Sequence, residues 1–286
     1  MQQYDKASSV RPFVKWVGGK RLSLPKLMSF VPEHIETYVE PFVGGGAMFF
    51  AIKFERAIIN DSNSELINAY RVIRDDVDGL IEILKEMPYN LEFFKEIRAW
   101  DRDKESFLKR SNTERAARLI YLLKTCFNGL YRVNRKNFFN TPFGKADNPT
   151  ICDVATLNAV HEYLNTHNVE ICNESYDEVL KRVPENSFVY MDPPYAPLSV
   201  TSSFTSYQPG QWGDSDQRDL ARNCDLLNKR KIKFMESNST ASICFDLYRH
   251  YQISTMDATR RINAQGNGRG AIKELVITNY DPMKIK

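Results

Sequence analysis

A proline-rich tetrapeptide, Asp192-Pro193-Pro194-Tyr195, follows the apolar run Phe188–Met191. The prolines fix φ and stiffen the backbone, so the neighbouring carboxylate and carbonyl groups point in set directions. The Asp192 carboxylate and the Pro193 carbonyl can together accept both hydrogens of an –NH₂ group. Two converging acceptors favour a tetrahedral nitrogen and stabilise the positive charge that grows on it during attack. The tetrapeptide therefore predicts chemistry on a weakly nucleophilic aromatic amine, with the Tyr195 ring stacking on the base.

A run of three glycines, Gly44 to Gly46, follows another predicted strand, Thr37–Glu40. Glycine allows a sharp turn and leaves space for a ligand, and we expect a helix to begin directly after it. Asp61 comes seventeen residues after Gly44, where a carboxylate binds ribose hydroxyls in doubly wound sheets. The dinucleotide fingerprint is excluded because Phe49 stands at its third glycine position. Taken without Asp61, the glycines are equally compatible with a turn that binds no ligand. Together with Asp61 they favour a nucleoside-containing ligand.

A second cluster near the start of the chain, Trp16-Val17-Gly18-Gly19-Lys20, has residue types suited to the same ligand. Trp16 can pack against it, and Lys20 can pair with a ligand carboxylate as a compact positive charge. The alternative is a turn with a core tryptophan and a surface lysine. S-adenosylmethionine carries a nucleoside, a carboxylate and a sulfonium methyl group that an amine can attack. It therefore fits all three clusters without a metal or a covalent protein nucleophile.

The basic charge of the chain is concentrated in one internal segment. Between Lys95 and Asp147 there are thirteen Lys and Arg against six Asp and Glu, an excess of seven positive charges. The whole chain carries only +3, so the remainder carries −4. Such asymmetry predicts a region that faces a polyanion, with a solvated helical surface as the alternative.

The order of apolar patterns predicts an α/β fold. Strands are predicted at Thr37–Glu40, Ala57–Asn60, Val169–Cys172, Phe188–Met191, Ile232–Met235, Tyr251–Thr255 and Leu275–Thr278. Helical periodicity between strands, as in Ser64–Ile73 and Gln217–Leu227, favours a mostly parallel sheet covered by helices. From about 77 to 146 the patterns are helical and end in a loop rich in Asn, Arg and aromatics. We therefore predict a catalytic domain over 1–76 and 147–286 and a helical insertion over 77–146.

Composition excludes several other classes. The five cysteines show no CxxC pair or Cys/His cluster, so neither a zinc site nor a disulfide framework is predicted. No run approaches the ~20 apolar residues that span a bilayer. The polar N-terminus lacks an apolar signal core, and we expect a cytoplasmic protein.

Seven motifs in order resemble the Dam-type DNA N6-adenine methyltransferases, the GATC-methylating family that includes enzymes of restriction-modification systems. They are KWVGGK, EPFVGGG, IIND, FNGLYRVN, ESY, MDPPY and FTSY, and the resemblance runs from about Phe13 to Tyr280. It implies a Rossmann-like methyltransferase sheet that uses S-adenosylmethionine and flips its target adenine out of double-stranded DNA. The implied cofactor residues are Trp16, Lys20, Phe42, Gly44, Gly46, Asp61, Ser175, Tyr176 and Asp192, and Asp192, Pro193 and Tyr195 would hold the adenine.

The same resemblance implies that the helical insertion recognises DNA. Arg132 matches the guanine-reading arginine, and contact with guanine O6 and N7 suits its geometry. The other implied contacts are Asn128, Leu130, Pro142 and Lys145. Pro197 to Tyr207 would lie by the flipped base, and the basic loop from Thr259 to Lys273 would contact phosphates. One departure bears on GATC: Gly144-Lys145-Ala146 stands where family members often have Gly-Arg-Tyr.

Other functions stay open on the sequence alone. The same core can serve another DNA site, adenine in RNA, or an amide nitrogen in protein, and the basic insertion favours nucleic acid. A DNA-binding protein with an inert core is a different class, and the intact Asp192-to-Tyr195 tetrapeptide argues against it. We expect a monomer or a weak dimer.

Overall fold

The computed structural model describes residues 10–197, 212–259 and 271–284. The described strands are β1 (Thr37–Glu40), β2 (Arg56–Asn60), β3 (Asn168–Cys172), β4 (Ser187–Met191), β5 (Lys233–Ser239), β6 (Gln252–Thr259) and β7 (Ala271–Thr278). They form one sheet in the order β3-β2-β1-β4-β5-β7-β6. β7 is antiparallel to both β5 and β6, and the other neighbouring pairs are parallel. All seven predicted strands are confirmed.

Helices cover both faces of this sheet. They are α1 (Leu24–Leu27), α2 (Ser64–Asp75), α3 (Val77–Glu86), α4 (Leu91–Ala99), α5 (Lys104–Lys109), α6 (Asn112–Thr125), α7 (Val154–Thr166), α8 (Tyr176–Lys181), α9 (Asp214–Lys229) and α10 (Ser242–Leu247). One core contains buried residues of α2, α6 and α7, and a second core on the other face contains residues of α8, α9 and α10. Asn63 caps α2, because its side chain accepts a hydrogen bond from the Leu66 amide at 3.0 Å.

The prediction of a helix directly after the glycine run was wrong. Residues 47–52 form turns, held by bonds such as Phe50 N to Gly46 O and Ile52 N to Met48 O. Gly46 has φ +75°, outside the right-handed helical region, and β2 begins at Arg56. The left-handed backbone at Gly46 prevents a helix from beginning on the glycine run, and the bonds that follow close single turns that do not continue as a regular helix.

The predicted helical insertion contains α3 to α6 and is packed onto the rest of the chain. Apolar residues of α6 share one continuous core with α2 and the sheet. Arg118 of α6 is 4% exposed, pairs with Asp101 at 2.8 Å and donates to the Ile97 carbonyl at 2.9 Å. The positive charge of Arg118 therefore stabilises the interior of this segment, because a buried guanidinium group needs an anion and hydrogen-bond acceptors beside it.

Two groups of predicted contacts lie outside the described residues. They are residues 198–207 of the loop expected beside the flipped base and residues 260–270 of the basic, glycine-rich loop.

None of the described helices is long and apolar enough to span a membrane. All five cysteines are free thiols. The described part of the chain holds no cluster of His, Cys, Asp or Glu able to bind a metal.

Candidate active site

The tetrapeptide lies at the carboxyl end of β4, which pairs with β1 on one side and β5 on the other. Ligands of open α/β sheets bind beyond these strand ends. Pro193 is buried and Pro194 is exposed, so the two prolines have different environments. The predicted cofactor residues that follow β1 and β2 lie at the same edge of the sheet.

Lys20 forms an ion pair with the Asp192 carboxylate. Its Nζ lies 2.7 Å from Asp192 Oδ1, donates to the Gly18 carbonyl at 2.9 Å, and sits 4.8 Å from the centre of the Tyr195 ring. Lys20 is only 5% exposed, and a desolvated ammonium group requires an anion or dipole nearby. In this structure Asp192 supplies that charge, and contact between Lys20 and a cofactor carboxylate stays a prediction.

Other acidic groups adjoin this pair. Burial raises the pKa of Asp192, as does the negative charge of Glu274, and the Lys20 ammonium opposes the shift. Glu40, at the end of β1, is buried and accepts from the Tyr38 hydroxyl at 2.7 Å, and burial raises its pKa as well. Burial thus favours the neutral forms of these carboxyl groups, and a nearby positive charge, such as that of Lys20, favours the ionised form.

The glycine turn and Asp61 form one unit. Asp61 Oδ2 accepts from the Gly44 amide at 3.0 Å, and Oδ1 accepts from the Asn63 amide at 2.9 Å. A side chain at Gly44 would meet the Trp16 ring at 2.7 Å, and one at Gly46 would meet the Tyr70 hydroxyl at 2.6 Å. Both positions therefore require glycine, and both also have positive φ. A carboxylate has about four acceptor sites, so Asp61 retains capacity for ligand hydroxyls.

An aromatic cluster borders this turn on the second face of the sheet. The rings of Phe42, Tyr176 and Trp212 lie with centroids 5.2–5.5 Å apart. Ser175 directly precedes α8 as its N-cap residue. The indole N–H of Trp212 is buried and has no hydrogen-bond partner among the described residues. An unpaired buried donor beside aromatic faces fits a purine ring.

The predicted DNA contacts share one exposed loop. Asn128, Arg132, Pro142 and Lys145 are exposed and Leu130 is half-buried. They lie in a segment joined to itself by bridges between residues 126 and 143 and between residues 133 and 139.

Within this loop, Arg132 Nε donates to Asn140 Oδ1 at 2.8 Å, and the Asn140 amide donates back to the Arg132 carbonyl at 2.9 Å. The guanidinium is therefore oriented but still open to solvent. Tyr131 brings this loop into contact with Trp16, one of the predicted cofactor residues. The two rings stack with centroids 5.0 Å apart and planes 24° apart.

Sequence reasoning missed several residues here. Asn60 joins three strand ends: its side chain donates to the Pro41 and Glu174 carbonyls and accepts from the Glu174 amide. Glu40 and Glu274 were also not predicted, although Glu40 lies in the predicted strand Thr37–Glu40 and Glu274 directly precedes the predicted strand Leu275–Thr278. A carboxylate or amide inside an apolar strand was the available signal, since such a group is buried only with a partner or a function.

The tetrapeptide Asp192-Pro193-Pro194-Tyr195 forms a proline-stiffened corner beyond β4. Together with the sheet order and its antiparallel β7, this corner defines a Rossmann-like methyltransferase. The family model of D12 class N6 adenine-specific DNA methyltransferases matches residues 16–262, and the chain belongs to this family.

Curated relatives agree with this assignment. The chain is 42% identical to a type II methyltransferase, M1.LlaDCHI, of Lactococcus lactis over 95% of its own length and 96% of the relative's. It is 41% identical to the type II methyltransferase M.MjaIII of Methanocaldococcus jannaschii, covering 95% and 99%. It is 32% identical to the DNA adenine methylase of Escherichia coli K12, covering 93% and 94%.

Stability is expected to depend on pH through Glu236 of β5. Burial raises the pKa of this carboxyl group to about 7. The folded protein then binds a proton that the unfolded chain releases between about pH 4.5 and pH 7, so the free energy of unfolding falls as pH rises through this window. The fall should be roughly 3 kcal/mol. Urea unfolding at pH 5 and pH 8 measures it, and Glu236→Gln should remove this part of the pH dependence. If the stability of the wild-type and Glu236→Gln proteins depends equally on pH, Glu236 is not the group responsible.

Proposed function

We propose that this protein transfers a methyl group from S-adenosylmethionine to the N6 amine of an adenine flipped out of double-stranded DNA, within GATC. The observation that carries the proposal is the Asp192 carboxylate, held by Lys20 at the start of a proline-stiffened corner beyond β4. Membership of an adenine-specific family supports the same substrate base.

The residues at the strand ends fit the cofactor. Asp61 would accept from the ribose hydroxyls, and the Phe42, Tyr176 and Trp212 cluster would contact the adenine ring. Trp16 packs on the glycine turn and closes one side of the same region. When bound, S-adenosylmethionine supplies an electrophilic methyl group on a positively charged sulfur.

The corner would act on the amine of the target base. Asp192 and the Pro193 carbonyl accept its two hydrogens, which directs the nitrogen lone pair outward and stabilises the positive charge that forms there. Asp192 then draws the proton that leaves the methylated nitrogen. Tyr195 stacks on the base. Flipping is required because the amine lies within the duplex, and extrusion costs a few kcal/mol that pocket contacts offset.

The helical segment 77–146 would be the DNA-recognition domain. Arg132 would contact the guanine, and Asn128, Leu130, Pro142 and Lys145 would line the same surface. GATC is proposed because these residues match the family pattern, and Ala146 is the position at which the chain departs from it. We further propose that the enzyme acts in the cytoplasm, as a monomer or weak dimer.

The test is methyl transfer from labelled cofactor to plasmid DNA, with modified bases located by sequencing. We expect N6-methyladenine confined to GATC. Methyladenine at another fixed sequence overturns the recognition site alone. Absence of methyl transfer to DNA overturns the proposed activity, and label in RNA under the same conditions supports the alternative substrate.

A further inference from the structure

Polar side chains of β5 and α9 surround the backbone of the catalytic corner. Gln217, Asn238 and Ser239 are 1%, 0% and 5% exposed, although polar groups this deeply buried are unfavourable unless they are hydrogen-bonded. Asn238 and Ser239 end β5, the strand next to β4. Gln217 lies in the first turn of α9. Their hydrogen bonds converge on the residues that follow Pro193.

Each of the three side chains binds this backbone. Gln217 Nε2 donates to the Pro194 carbonyl at 2.9 Å. Asn238 Oδ1 accepts from the Ala196 amide at 3.3 Å, and Ser239 Oγ donates to the Ala196 carbonyl at 2.6 Å. The backbone is therefore held at three successive peptide groups, from the Pro194 carbonyl to the Ala196 carbonyl.

Further hydrogen bonds orient these side chains. Asn238 Nδ2 donates to Gln217 Oε1 at 3.0 Å and to Glu236 Oε1 at 2.9 Å. A reversed Asn238 amide would place its oxygen against these two acceptors and its NH₂ against the Ala196 N–H. The network therefore permits one orientation of Asn238, and through it one orientation of Gln217.

The two proline carbonyls of the corner differ in their hydrogen bonding. The Pro194 carbonyl is occupied by Gln217. Within the described residues no hydrogen-bond donor reaches the Pro193 carbonyl, and this is the carbonyl that accepts from the amine in the proposed function. Lys20 holds the Asp192 carboxylate at 2.7 Å.

We propose that Gln217, Asn238 and Ser239 are positioning residues for methyl transfer, which hold the corner so that the Pro193 carbonyl and Asp192 converge on the target amine. The inference rests on the proposed function and adds residues that touch neither cofactor nor DNA in it. A displacement of about 1 Å at such a corner lowers the rate of chemistry by up to roughly 100-fold.

Gln217→Met tests the role, because methionine keeps the length of the side chain but cannot donate to Pro194. Ser239→Ala, which deletes a single oxygen atom, is the second variant in case the first does not fold. We expect each to lower the single-turnover rate of methyl transfer by roughly 10- to 100-fold. The KM for S-adenosylmethionine and the Kd for DNA should stay near their wild-type values. A merely structural role would lower the thermal midpoint without this split between rate and affinity.

Asn223→Ala is the matched control on the same helix, since among the described residues its side chain bonds only to the Asp219 carbonyl of α9. It should methylate at the wild-type rate. Wild-type rates in both folded test variants, or losses confined to cofactor affinity, overturn the positioning role alone. Absence of methyl transfer by the wild-type protein overturns the proposed function, and the positioning role with it.

Discussion

The Asp192→Ala protein is expected to methylate DNA slower than the wild-type protein by roughly 10³-fold or more. The substitution removes one of the two acceptors for the amine hydrogens and the group that draws the released proton. Single-turnover transfer of labelled methyl groups measures the loss. Wild-type turnover would contradict the proposed role of the corner.

The fold of this variant needs its own measurement. Asp192 is the described anion nearest the buried Lys20 ammonium, and removing one member of a buried pair costs about 3–5 kcal/mol of stability. Asp192→Asn keeps an acceptor oxygen beside Lys20 and should be more stable than Asp192→Ala, yet almost as slow, because a neutral amide draws the proton poorly. Glu178→Gln, which removes a solvent-exposed carboxylate paired with Lys181, is the control and should retain full activity.

The second large effect is expected at Arg132. Arg132→Ala should reduce discrimination between guanine and other bases at one position of the site by ~1–3 kcal/mol, because a bidentate contact is lost. Cofactor affinity should be unchanged, since Arg132 lies on the exposed loop and bonds only to Asn140 among the described residues. Methylation rates on duplexes changed one base at a time measure the discrimination.

Two further variants separate charge from geometry. Arg132→Lys keeps the positive charge but lacks the planar fork, so it should also lose discrimination. Lys136→Ala removes an exposed charge from the same loop and should weaken binding without changing the preferred base. An equal loss on every DNA sequence for Arg132→Ala would show that it binds phosphate.

Local features of the sequence predicted most of the sheet and the place of the Asp192-to-Tyr195 tetrapeptide at the end of a strand. Each strand is a short apolar run between turn residues, and the acid-proline-proline-tyrosine order has a direct chemical interpretation. The glycine turn was also predicted from local sequence, because a positive φ, as at Gly44 and Gly46, favours glycine. The prediction of a helix after them was wrong, because the local pattern does not show that these residues close single turns before β2.

Contacts between distant parts of the chain could not be predicted in this way. Lys20 was assigned to the cofactor, and only the fold shows that it pairs with Asp192. The stacking of Tyr131 on Trp16 and the bond from Gln217 to Pro194 likewise join segments with no pattern in common. Charge counting also could not show that Arg118 is buried and paired with Asp101, whereas other basic residues of the insertion are exposed.

The decisive measurement is a crystal structure of the protein with an unreactive S-adenosylmethionine analogue and a duplex containing the target adenine. The proposed mechanism predicts the adenine outside the helix, with N6 within ~3.2 Å of both an Asp192 oxygen and the Pro193 carbonyl. An adenine left stacked in the duplex, or a corner turned away from the bound nucleoside, would contradict it.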